Sequence, residues 1–67
     1  MSVARVTQIT ASSPKSFDDA VRSGVERASR TVRGISGLHV VEHKAKVEKG
    51  KIAEYRVTMD VTFILDD

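Results

Sequence analysis

From Ile52 to Leu65 the chain alternates apolar and less apolar residues without a break. Ala53, Tyr55, Val57, Met59, Val61, Phe63 and Leu65 fall on one side. Ile52, Glu54, Arg56, Thr58, Asp60, Thr62 and Ile64 fall on the other. Successive strand side chains point to opposite faces, so this pattern marks a strand with one buried face and one wetter face. At ~3.3 Å per residue the segment is about 46 Å long, well beyond the usual strand of about five or six residues. A single hairpin partner would leave ladder unfilled. The strand is therefore expected to pair also with the first strand of the chain or with another subunit.

The chain has 67 residues and no cysteine. A domain of this size buries only about 60% of the surface of its unfolded chain and is marginal alone. Disulfides and thiolate metal sites are excluded by composition, which leaves association with further copies as the expected support. The N-terminal "MSVARVTQIT" alternates and has no continuous apolar core, and no stretch approaches the ~20 apolar residues of a membrane span. The reading is a soluble, cytoplasmic protein without membrane contact. Eleven Lys and Arg against nine Asp and Glu give a net charge of +2, too mild for a nucleic-acid binder by itself.

Three further elements precede the long strand. "VARVTQIT", residues 3 to 10, is rich in Val, Ile and Thr and reads as a strand. "ASSPKS" breaks the pattern, and Ser16 with Asp19 three residues on forms a capping-box-like helix start. Phe17, Ala20, Val21, Val25, Ala28 and Val32 then line one helical stripe. Glu26 and Arg30 stand four apart in the favourable order for a pair, and Gly34 is the expected helix cap. "LHVVEHKAKV", residues 38 to 47, reads as a strand, and "EKGK" as a hairpin turn with Gly50 free to take positive φ. The order is β-α-β-β in one domain, residues 1–67. The class is α+β, a three-stranded antiparallel sheet with one helix covering one face.

Chemistry-bearing clusters are sparse. His39 and His43 read as sharing a strand face, about 13 Å apart, too far to chelate one ion within a chain. Lys44, Lys46, Lys49 and Lys51 flank a turn with no aromatic residues between them and read as a solvated tip. No nucleophile stands at sensible spacing from a base, and no carboxylate pair falls in an expected cleft. The sequence excludes an enzyme and a nucleic-acid partner as leading readings.

The joint pattern of "ASSPKSFDDAV", "RASRTVRGI" and "KGKIAEYRVTMDVTFIL" resembles the dodecin family in length, element order and spacing over nearly the whole chain. That resemblance implies a sheet partly wrapped around its helix and a hollow homododecamer. It also implies non-enzymatic storage of flavin as riboflavin, FMN or FAD, with ions on the symmetry axes as a further expectation. In flavin-binding dodecins a tryptophan opens the second strand and stacks on the flavin ring. A glutamine after the tyrosine of the last strand bonds the ring's polar edge. In this chain the matching positions are Gly37 and Arg56. The resemblance thus implies a shell whose ligand site is degenerate, binding flavin or a related small molecule weakly. The alternative is a flavin-free structural or ion-binding assembly. Without a ligand role, Gly37 is a flexible strand entry, and Arg56 an ion-pair partner of Asp60 or Glu54 across a subunit boundary.

Overall fold

A computed structural model describes residues 3–65. Its elements are β1 (Ala4–Ser13), α1 (Phe17–Ser29), β2 (Ile35–Glu48) and β3 (Lys51–Ile64). All three strands form one antiparallel sheet in the order β1-β3-β2. The long alternating segment is thus the middle strand, with a partner on each side. β1 runs from Ala4 opposite Ile64 to Ser13 opposite Tyr55, and β2 from Ile35 opposite Phe63 to Glu48 opposite Lys51. β1 continues through Ala11–Ser13, which the serines had marked as a break, because these residues still find ladder partners in Tyr55–Val57. β2 and β3 meet at Lys49 and Gly50, both with positive φ (51° and 75°). Two consecutive left-handed residues make the tight turn whose twist matches a hairpin.

The helix starts as expected. Ser16 is extended, and its hydroxyl accepts the Asp19 backbone N–H at 2.9 Å. The Asp19 carboxylate, however, does not close a capping box. It accepts a 2.6 Å hydrogen bond from Ser13 Oγ at the end of β1, and Ser13 Oγ in turn accepts the Lys15 backbone N–H at 3.0 Å. Ser13 is buried, so this junction locks the helix onto the strand it follows. The helix stops at Ser29, five residues before the glycine expected to end it, with Arg30 as its cap. Arg30 and Thr31 donate to Arg27 and Ala28 carbonyls and satisfy the last turn without a left-handed residue. Gly34 does have φ of 75°, but it serves the entry to β2. Its carbonyl accepts the Ile64 backbone N–H at 2.9 Å, and a Cβ there would lie 2.9 Å from the Ile64 carbonyl oxygen. The helix carries an ion pair between Asp18 and Arg22, both highly exposed, rather than between Glu26 and Arg30. Such exposed pairs contribute only about 0–1 kcal/mol.

Among the described residues the fully packed apolar side chains are Ala20, Val57, Met59 and Val61. Tyr55 and Phe63, from the same alternating face, are half-buried, and Ala53 and Leu65 are exposed. The helix packs on β1 and β3, and its first residue also touches β2. There the Phe17 ring stands edge-on between Tyr55 (centroids 5.0 Å apart) and His43 (4.9 Å). One helix does not cover all three strands; the β2 third of the sheet stays open. The close approach of helix and sheet falls at Gly24. A Cβ on it would sit 2.5 Å from Met59 Cε and 2.9 Å from Ala11 Cβ. Gly24→Ala is expected to overpack this contact and cost about 1–3 kcal/mol, despite alanine's better helix propensity. A urea melt showing equal or greater stability would refute that close contact.

Candidate functional site

The sheet face away from the helix follows from the ladder, because residues directly opposite one another share a face. Val57, Met59 and Val61 are buried under the helix, so Arg56, Thr58, Asp60 and Thr62 point the other way. With them lie Val6, Gln8, Thr10 and Ser12 of β1, and Gly37, His39, Glu42 and Lys44 of β2. Two cross-strand hydrogen bonds tie this polar face together. Gln8 Nε2 donates to Asp60 Oδ1 at 3.1 Å, and the Thr10 and Thr58 hydroxyls meet at 3.3 Å.

Gly37 and Arg56 both belong to this face. Gly37 stands opposite Thr62, and Arg56 stands between Ser12 on one side and Lys44 on the other. Along β3 they are six positions apart, about 20 Å, so one chain alone does not bring them together. Gly37 does not have a left-handed backbone, and a Cβ built on it would meet nothing within 4 Å. Its position follows a bulge at Ser36, where β2 carries one residue more than β3. Arg56 is paired within its own chain: its Nη2 reaches Glu54 Oε2 at 3.1 Å, two residues away on the same strand face. Its side chain is 48% exposed, so the rest of the guanidinium faces solvent. The nearby Ser12 hydroxyl, and then the Arg56 guanidinium, hold the Glu54 carboxyl below the usual carboxylate range. The sign follows directly: Glu54 keeps its charge at neutral pH, and its contribution is lost only as acid takes the pH below that of an ordinary glutamate.

A second bulge, at Val41, reorders the histidines. His39 lies opposite Asp60 on the polar face, whereas His43 lies opposite Val57 on the helix face against Phe17. They do not share a face. The extra residue at Val41 reverses the alternation between them. Of the lysines at the hairpin, Lys44 pairs with Glu42 at 3.5 Å and Lys46 with Glu48 at 3.9 Å, so much of the tip's charge is neutralised locally. Among the described residues no group of three His, Cys, Asp or Glu side chains could hold a metal ion within one chain. No helix among the described residues is long and apolar enough to cross a membrane.

The candidate residues thus share one polar sheet face, tied across its strands by hydrogen bonds. The sequence model of the dodecin family matches residues 3–66, and the chain belongs to that family. A solved dodecin from Streptomyces davaonensis is 41% identical, with a TM-score of 0.95 over 98% of this chain and 97% of that one. The dodecin of Streptomyces coelicolor is 33% identical, with a TM-score of 0.94 over 98% and 94% of the two chains. The calcium dodecin of Mycobacterium tuberculosis is 33% identical over 63 residues, 94% of this chain and 89% of the relative. Its solved structure, described as calcium-chelating with a novel calcium-binding site, superposes with a TM-score of 0.82. Dodecins are binding proteins rather than enzymes and form homododecamers. They bind flavins or, in the Mycobacterium tuberculosis relative, calcium.

Proposed function

We propose that this chain assembles as a homododecamer that binds and sequesters a small ligand, at a flavin site weakened at Gly37 and Arg56. The observation that carries this reading is the open space at Gly37, on the same face as Arg56. The chain has no tryptophan, and glycine at the strand entry supplies no flat apolar face for a ring. Aromatic stacking on a nucleobase-sized ring is worth ~1–3 kcal/mol per contact, and each ~1.4 kcal/mol is tenfold in affinity. Arg56 offers donors and no acceptor, and Glu54 already occupies one of its nitrogens. The residues present therefore fit a flavin ring poorly. Because the two positions are about 20 Å apart along one strand, a ligand touching both would span two copies.

A second reading is a flavin-free, ion-binding shell, which the similarity to the calcium dodecin favours. Within one chain the described residues do not assemble a metal site, so such an ion would be held between copies. Light scattering on the purified protein, followed by riboflavin fluorescence quenching and calcium calorimetry on the same sample, separates the readings. We expect a particle of about twelve subunits with weak quenching. Calcium binding without any quenching would replace the first reading by the second, and a stable monomer at micromolar concentration would end both.

A further inference from the structure

Half of β2 is left without cover on the helix side of the sheet. Leu38 and Val40 lie opposite Val61 and Met59, and therefore share the apolar face, yet Leu38 is 39% exposed because the helix packs on β1 and β3 instead. A second apolar spot lies on the same side of the same strand. Beyond Ser13 the β2–β3 hairpin continues without β1 or the helix beside it, as an arm of a molecule 51 Å long and 13 Å thin. On that arm Val47 is opposite Ile52, and the two are 62% and 50% exposed. A third bulge, at Ala53, puts its extra residue on β3 and leaves β2 unbroken there. Alternation from Ala45, which faces Tyr55, therefore puts Val47 on the helix side. Ile52 opposite it lies there too, rather than on the polar face that strict alternation along β3 gives.

The two spots cannot satisfy each other within one chain, because Val40 and Val47 are about 23 Å apart on a rigid strand. They can do so between two chains. A two-fold axis lying along the helix-side face and crossing in front of β2 near His43, midway between the spots, lays the arm of each copy on the open Leu38–Val40 patch of the other. Both contacts then form at once, and the contact closes on itself. The β2 residues between the spots on that face are His43, against which the Phe17 ring already packs, and the small Ala45. Pairing through strand edges is the weaker route. β2 is broken by bulges at Ser36 and Val41 and lined with Lys and Glu, which blunt an edge against sheet extension.

We infer that a second copy of this chain occupies the open β2 face, with the Val47–Ile52 arm of each copy seated on Leu38 and Val40 of its partner. This inference rests on the assembly reading above and names one of its contacts. The absence of cysteine allows a direct test by cross-linking. A chain carrying both Leu38→Cys and Val47→Cys should form covalent dimers on mild oxidation of the native particle, and either single variant should remain monomeric on a non-reducing gel. Both positions are already exposed, so folding, followed by circular dichroism, should be retained. As a second arm, Val47→Asp should dissociate this contact and lower the particle mass in light scattering, and adding Leu38→Lys should restore it. An intact dodecamer in which residues 38 and 47 never cross-link, and in which Val47→Asp leaves the mass unchanged, overturns the inference and leaves the assembly standing. A parent protein that is monomeric overturns the assembly itself.

Discussion

A chain carrying both Gly37→Trp and Arg56→Gln is expected to quench riboflavin fluorescence, with affinity about ten- to a hundredfold above the parent. The tryptophan would restore a stacking face worth ~1–3 kcal/mol. The glutamine would place a donor and an acceptor where a guanidinium offers donors alone. The backbone permits the first change: Gly37 is not left-handed, and the space where a Cβ would go is open to 4 Å. The second change releases Glu54 from its 3.1 Å partner, but both side chains reach solvent, so the fold should lose little. Each single variant should gain less, because stacking and edge recognition act on one bound ring and need not add. An intact dodecamer that carries both substitutions and still fails to quench would show divergence well beyond these two positions. The flavin reading would then give way to the ion-binding shell.

Met59→Ala should lower stability by about 2–5 kcal/mol. Met59 is fully buried at the centre of β3, between Ile9 and Val40 in the ladder and beneath Gly24 of the helix. A chain of this length has a total stability of only about 3–10 kcal/mol. One truncation could therefore leave the isolated fold barely stable, and assembly would have to supply the remainder. Phe63→Ala should cost less, since Phe63 is only half-buried near the open end of the sheet. Thermal melts of the two variants at equal protein concentration test the ranking. If Met59→Ala melts like the parent, the core is centred elsewhere.

The middle of this core could be read directly from the alternation of Val57, Met59 and Val61, because a strand buried on one face leaves a period of two. The Ser16 cap was equally plain, since a hydroxyl before an apolar stripe has one obvious backbone donor to satisfy. The bulges at Ser36 and Val41 left no such mark. Valine is an ordinary strand residue, so nothing at position 41 announces an extra residue, and a strict alternation wrongly put His39 and His43 together. From sequence alone a helical glycine such as Gly24 is only a weak helix former, and the neighbouring strand is what reveals that a methyl would collide. Gly34 was read as a helix cap from composition; its positive φ was sound, but the residue answering it is Ile64, thirty positions away. At the polar face, alternation correctly put Arg56 with Thr58 and Asp60. It could not choose between Glu54 and Asp60 as the Arg56 partner, because both are two or four residues away on the same strand face.

The sheet order has a consequence in time as well as in space. β3 is the middle strand, yet it follows both of its partners in the chain. Synthesis therefore produces β1, α1 and β2 before the strand that all three pack or pair against. Until β3 emerges, neither edge strand has a ladder, and the helix lacks Val57, Met59 and Val61 beneath it. When it does emerge, the two-residue turn at Lys49–Gly50 lets the β2–β3 hairpin close locally within about 1–10 μs. The β1–β3 ladder must instead bring Ala4 to Ile64 across nearly the whole described chain, a far larger loop to close. The nascent chain is thus two unpaired strands joined through a helix until the pairing partner they share arrives.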